Sequence, residues 1–208
     1  MANMELVIDA DNKPANLPSP DMIIQQSCRA QAQVNASNQR GFRLVDESGD
    51  NSVCAWVKFG LSITMSEART QHFVTQVMND KAGAAVRSPY VYLAFSCNGT
   101  GYIVMEYIDG SICDNSDARL VADAVESLIS IQSPTAEPGP IGGGPIGHRF
   151  FMERQSSVTY KSVDLLEKHI NGVSVPFHLA LVSLCPSCTF VSFRIITLNT
   201  DTGVHGQE

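Results

Sequence analysis

Features that would direct the chain to a membrane, an export pathway or a nucleic-acid complex are absent. No stretch approaches the ~18 continuous apolar residues of a membrane-spanning helix. The N-terminal segment MANMELVIDADNKPANLPSP has no basic segment followed by an apolar run, so we see no signal peptide. A net charge of -7 argues against nucleic acid or an anionic membrane as the main partner. We therefore expect a cytoplasmic protein with neither partner.

The composition is that of a globular chain with a hydrophobic core. Hydrophobic residues make up 44% of the 208 residues and charged residues 17%, which fits one domain, or one and a fragment. Six cysteines are scattered through a chain without a secretory signal, which favours free thiols. Cys185 and Cys188 form a lone CxxC, for which a zinc or redox role is the weaker alternative because no second pair accompanies it. The cysteines are Cys28, Cys54, Cys97, Cys113, Cys185 and Cys188.

The N-terminal 40 residues are interpreted as an arm with a short helix. Residues 1–22 are polar and contain three prolines, a composition typical of a loose segment. Residues 23–36 are rich in helix formers and predict a short helix.

Residues 41–110 predict a compact α+β unit. Two runs rich in β-forming residues, 41–45 and 52–60, flank a polar turn cluster and predict an antiparallel hairpin. Apolar residues at helical spacing predict a helix over 64–80, with Thr64 or Ser66 as its cap. A second hairpin is predicted for 90–97 and 101–107, around Asn98-Gly99-Thr100. Antiparallel strands with an inserted helix favour α+β over a parallel doubly wound sheet.

Residues 111–171 are expected to be mostly helical, and residues 172–208 form an atypical tail. One helix is predicted after Asn115 or Ser116, and another near residues 163–170. The Pro/Gly-rich loop 133–147 contains a triple-glycine run but no following lysine, so we interpret it as a flexible connector and not as a phosphate loop.

Lys58 and Glu67 are the first candidate pair. Lys58 ends an apolar strand and either reaches water at the rim of the sheet or points into a cleft. Glu67 lies in the first turn of the following helix, where Thr64-x-x-Glu67 also matches a capping box. A lysine on a strand paired with a glutamate on a helix is the arrangement with which kinase-like folds hold nucleotide phosphates.

The segment GYIVMEYIDG at 101–110 is the second candidate feature. An apolar strand breaks at Glu106, which would leave the Glu106 carbonyl and the Ile108 N–H beyond the sheet. Backbone groups of this kind need partners, and the edge of an adenine ring is one that fits.

The segments VKFG, SEARTQHFV, SPYVYLAF and YIVMEYIDG resemble the N-terminal lobe of the aminoglycoside phosphotransferase family in the protein-kinase-like superfamily, most closely its small fungal members. The resemblance covers residues 42–171. It implies an antiparallel sheet with one helix, followed by the first helices of an incomplete C-lobe. It also implies that ATP and Mg are the cofactors, that Lys58 contacts the phosphates and that Glu67 orients Lys58. Met105 would guard the pocket behind the adenine, with backbone contacts from Glu106 and Ile108.

The first hairpin lacks the G-x-G-x-x-G loop of protein kinases, an absence that is usual in the aminoglycoside branch. The chain departs from that branch after Asn171, where no H-G-D or D-F-G sequence follows. In this stretch Asp201, His178 and His205 do not form a catalytic loop, so no catalytic residue and no metal ligand is assigned.

Our hypothesis is a truncated or alternatively read gene product, an incomplete phosphotransferase that retains the ATP-binding lobe. The alternatives are a non-catalytic module that binds nucleotide and a plain interaction module. The phosphate acceptor, a small molecule or a protein, is left unassigned.

Overall fold

The computed structural model describes residues 3–33, 41–46, 52–80, 86–151 and 153–174. These residues form a mixed α+β fold with a five-stranded antiparallel sheet, which confirms the expected fold class at that level. In chain order the elements are β1 (Met4–Asp9), α1 (Pro20–Gln33), β2 (Gly41–Val45), β3 (Val53–Gly60), α2 (Met65–Asn79), β4 (Val91–Cys97), β5 (Thr100–Met105), a 3-10 turn (Asn115–Asp117), α3 (Ala118–Ile129) and α4 (Val163–Ser174). No helix in these ranges combines the length and the apolar character needed to cross a membrane.

The strand order in the sheet is β1-β4-β5-β3-β2. Both predicted hairpins, β2–β3 and β4–β5, are confirmed, and each is antiparallel. Asn98 and Gly99 carry the β4–β5 turn with φ angles of 49° and 80°, a backbone that tight hairpins require and that Asn-Gly adopts readily. Because β3 lies between β2 and β5, Lys58 stands on an inner strand of the sheet.

The prediction of a loose N-terminal arm was wrong for residues 4–9. These residues form β1, an edge strand that pairs with β4 from Met4 opposite Cys97 to Asp9 opposite Leu93. Further backbone hydrogen bonds join Asn98 to Asn3 and Ala10 to Tyr92. The polar composition misled the interpretation because β1 is held mainly by its backbone and exposes side chains such as Leu6.

Helix α1 confirms the predicted N-terminal helix, with a start three residues earlier. The Ser19 hydroxyl accepts a hydrogen bond from the Met22 N–H, and Pro20 occupies the first helical position, where its missing N–H costs nothing. Ile23 is fully buried against the sheet. The expectation of one helix on the sheet was therefore incomplete, because α1 covers one face and α2 the other.

Strand alternation sorts the residues of β3 between these two faces. Val57 and Phe59 belong to the core beneath α1, together with Phe95 and Tyr102. Trp56 packs with the smaller cluster beneath α2. Since successive side chains of a strand point to opposite faces, Lys58 lies on the α2 face with Trp56.

Helices α3 and α4 confirm the two predicted C-terminal helices. Leu128 near the end of α3 and Ile131 beyond it pack on Val74 and Met78 of α2. Helix α2 is thus held between the sheet and the start of the helical region.

Candidate functional site

Lys58 and Glu67 are brought together by the fold. The Lys58 ammonium forms an ion pair with Oε1 of Glu67, which links the end of β3 to the first turn of α2. The two side chains remain 24% and 28% exposed, so the pair lies at an accessible edge of the α2 face. The Lys58 side chain therefore points from β3 toward the first turn of α2.

Thr64 and Glu67 form only half of the capping box that their spacing suggested. The Thr64 hydroxyl accepts a hydrogen bond from the Glu67 N–H at 3.1 Å and caps α2. Among the described residues, the Glu67 carboxylate contacts Lys58 and makes no return hydrogen bond to the Thr64 N–H. Of the two roles considered for Glu67, its carboxylate pairs with Lys58 and does not complete the capping box.

The ion pair between Lys58 and Glu67 contributes little to the stability of the fold. An ion pair that remains partly exposed to water stabilises a protein by about 0–1 kcal/mol. This is small beside the burial of the surrounding core, so stability alone is a weak reason for placing a lysine and a glutamate here. The pair is better understood as holding the flexible Lys58 side chain in one direction.

Met105 lies at the end of β5, directly opposite Trp56 of β3. Its side chain is 9% exposed and belongs to the cluster beneath α2. The Gln71 side-chain amide of α2 lies 3.3 Å from the Met105 sulfur. Met105 is therefore a fixed apolar wall between the sheet and α2, at the point where the chain leaves β5.

Glu106 anchors the first residue beyond β5. Its N–H donates to the Tyr90 carbonyl at 2.8 Å, and its carboxylate accepts from the Tyr90 N–H at 3.3 Å. The carboxylate also forms an ion pair with Arg87. The hydrogen bond that the Arg87 guanidinium donates to Glu106 raises the pKa of Arg87 above its ordinary value. These contacts fix the backbone of residue 106 relative to the sheet.

The backbone beyond this anchor has open hydrogen-bonding groups. In the described ranges, no hydrogen bond involves the Glu106 carbonyl or the Ile108 N–H. Residues 106–108 are half-buried. Residues 106–108 thus offer a backbone acceptor and a backbone donor two residues apart, beyond the end of β5.

Three further residues near Met105 were not predicted as site residues: Arg43, Trp56 and Tyr107. Arg43 of β2 stands opposite Trp56, and its guanidinium lies 5.0 Å from the centre of the Tyr107 ring. Strand alternation applied to the sequence would have placed Trp56, two positions before Lys58, on the same face as the lysine. The contact of Arg43 with Tyr107 had no signal in the sequence.

The Pro/Gly-rich loop differs from the flexible connector that was expected. The Ser66 hydroxyl donates to the Gly143 carbonyl at 2.8 Å, and the Ile141 N–H donates to the Thr70 hydroxyl at 2.9 Å. A Cβ at Gly142 would lie 2.8 Å from Cδ of Arg69, and Gly142 has a φ of +85°. The loop is thus fastened to the first two turns of α2, the helix that carries Glu67.

No group of three His, Cys, Asp or Glu side chains in the described ranges could hold a metal. The described cysteines Cys28, Cys54, Cys97 and Cys113 take part in no disulfide. Cys185, Cys188, His178, His205 and Asp201 lie outside the described residues.

Comparisons with protein-family models, with curated proteins and with solved structures found no match for this chain.

Proposed function

We propose that the chain contains the ATP-binding lobe of a phosphotransferase of the aminoglycoside type, in the protein-kinase-like superfamily. The observation that carries this proposal is the ion pair between Lys58 on an inner strand and Glu67 on the helix that covers the same face. This ion pair lies on the α2 face of the sheet. Residues 106–108, with their open backbone groups, follow the end of β5, the strand next to β3. The order of lysine, glutamate, hairpin and chain break supports the same assignment.

Each of the five assigned residues has a distinct part in this proposal. The Lys58 ammonium neutralises phosphate oxygens, and Glu67 keeps the lysine aimed at them. The Glu106 carbonyl and the Ile108 N–H pair with the edge of the base, and Met105 closes the space behind it. No described residue is assigned as a catalytic base or as a ligand for Mg, so the proposed function is nucleotide binding and the phosphate acceptor is unassigned.

Thermal unfolding with and without ATP tests this function. A ligand that binds only the folded state stabilises it by about 2.7 kcal/mol at 100 times its Kd. For a chain of this size the melting temperature would then rise by roughly 5–10 °C. We expect such a rise at millimolar ATP, measured in parallel with magnesium and with EDTA. An unchanged melting temperature under both conditions would contradict the proposal.

Glu67→Gln separates the orienting role of Glu67 from its place in the helix cap. The Thr64 hydroxyl still accepts the backbone N–H of residue 67 in this variant, so we expect its stability without ligand to change by less than about 1 kcal/mol. ATP affinity should fall on the order of tenfold, equivalent to about 1.4 kcal/mol. Calorimetric titration measures both proteins, and Glu137→Gln removes a carboxylate from an exposed ion pair with Lys161 as the matched control. Equal losses in the two variants would show that the Glu67 pair has no special role.

A further inference from the structure

The segment that follows α3 runs along helix α2 in the direction opposite to the helix. Ile131, just beyond α3, packs in one cluster with Met78 near the C-terminal end of α2. Further along the chain, the Ile141 N–H donates a hydrogen bond to the Thr70 hydroxyl at 2.9 Å, in the N-terminal half of α2. Residues 131–141 therefore connect the two ends of α2 to the helical region.

Residues 140–144, which we call the glycine loop, lie directly against the first turns of α2. Gly142 and Gly143 have φ angles of +85° and +81°, a backbone that glycine adopts readily and other residues rarely do. A Cβ atom at Gly142 would lie 2.8 Å from Cδ of Arg69, so only glycine allows this approach. The Gly143 carbonyl accepts a hydrogen bond from the Ser66 hydroxyl at 2.8 Å. The conformation of the loop is thus matched to the surface of the helix.

Helix α2 carries Glu67 but packs mainly on strands β4 and β1. Lys58 lies on β3, which is separated from β4 by β5. Thr70 follows Glu67 by three residues, so the two side chains are neighbours on the helix surface. Thr70 is buried, and its hydroxyl both accepts from the glycine loop and donates to the Ser66 carbonyl at 2.8 Å. The loop therefore holds the side of α2 next to the carboxylate that must reach across to Lys58.

Building on the proposed function, we infer that Thr70 and the glycine loop position Glu67 for its pairing with Lys58. The ion pair remains partly exposed, and such pairs supply too little free energy to hold a helix in place by themselves. The hydrogen bonds from the loop supply that restraint on the first two turns of α2. Thr70 is thus a positioning residue that acts through Glu67, and the segment after α3 affects how firmly Lys58 holds the phosphates.

Thr70→Val keeps the volume of the side chain and removes its hydroxyl. Calorimetric titration should show ATP binding weakened roughly 2- to 10-fold, as for the loss of one hydrogen bond. Thr70→Ser retains the hydroxyl and should bind ATP as the wild type does. Because Thr70 acts through Glu67, Thr70→Val combined with Glu67→Gln should bind ATP no more weakly than Glu67→Gln alone. Losses that multiply in the double variant would overturn the inference and leave the proposed function standing.

Ser156→Ala is the matched control for Thr70→Val. The buried Ser156 hydroxyl also accepts a backbone N–H, that of Ile146 at 2.8 Å, and donates to a carbonyl, that of Val158 at 2.7 Å. These bonds join residues beyond the glycine loop to one another and not to α2, so ATP affinity should stay unchanged. An equal loss of affinity in Ser156→Ala and Thr70→Val would assign the effect to general loosening and overturn the inference.

Gly142→Val tests the same contact from the side of the loop, should Thr70→Val fail to fold. A β-branched residue is strained at a φ of +85°, and its side chain would meet Arg69, so the loop must move away from α2. ATP binding should weaken in the same range as in Thr70→Val. Wild-type affinity in Gly142→Val would overturn the inference, whereas a wild-type chain that binds no ATP would overturn the proposed function and this inference together.

Discussion

Lys58→Met is expected to remove most of the stabilisation that ATP gives to the folded chain. Methionine keeps the length and much of the apolar stem of lysine but has no charge to place against a phosphate. A hydrogen bond to a charged group contributes about 1.5–3 kcal/mol, which corresponds to a loss of roughly 10- to 150-fold in ATP affinity. The readout is the rise in melting temperature at a fixed millimolar ATP concentration. Without ATP the variant should melt close to the wild type, because the partly exposed ion pair adds little stability.

Lys161→Met is the matched control for Lys58→Met. Lys161 also forms an ion pair with a glutamate, Glu137 at 3.1 Å, but its side chain is 74% exposed. This variant has the same change in charge and should keep the full response to ATP. If both variants lose the response equally, the effect comes from the overall charge of the protein and not from a site at Lys58.

Ile23→Ala is expected to produce the largest loss of stability. Ile23 lies on α1, is completely buried, and packs in the core between α1 and the sheet. Truncating a buried isoleucine to alanine costs about 2–5 kcal/mol through lost burial and the cavity left behind. The free energy of unfolding in urea measures this loss.

Gln25→Ala is the control for Ile23→Ala, because Gln25 lies on the exposed side of the same helix. Its effect should stay within about 0.5 kcal/mol, as for most exposed positions. If Ile23→Ala were as mild as Gln25→Ala, α1 would be a detachable arm and not one layer of the fold.

Local patterns in the sequence were sufficient to predict both hairpins and helix α2. The turn at Asn98-Gly99 is encoded by two adjacent residues, and the start of α2 by Thr64 and the residues that follow it. Such elements depend on neighbours in the chain, so periodicity and capping residues identify them.

The N-terminal segment could not be placed in the same way. Met4 of β1 pairs with Cys97 of β4, and no local signal connects two segments so far apart in the chain. Ile23 likewise gave no sign of which face of the sheet it would cover. Long-range pairing and packing decide both positions, and composition alone suggested a loose arm.

The candidate site could likewise be predicted from the sequence only in part. The sequence made Lys58 and Glu67 candidates for a pair, but it left Lys58 either at the rim of the sheet or in a cleft, and the spacing of Thr64 and Glu67 also fitted a capping box. The structure resolves that choice because the Glu67 carboxylate contacts Lys58. The fastening of Gly143 to Ser66 and the contact between Arg43 and Tyr107 join distant segments, so the sequence carried no signal for either.

In the proposed function, ATP occupies the α2 face of the sheet between Lys58 and residues 106–108. The most direct test is a proton–nitrogen correlation NMR spectrum of the labelled chain recorded during an ATP titration. We predict the largest shifts at the backbone N–H of Lys58 and Ile108 and at the indole N–H of Trp56, and almost none around Ile23 on the opposite face. Unchanged signals from these three groups at saturating ATP, or shifts confined to the α1 face, would contradict the account.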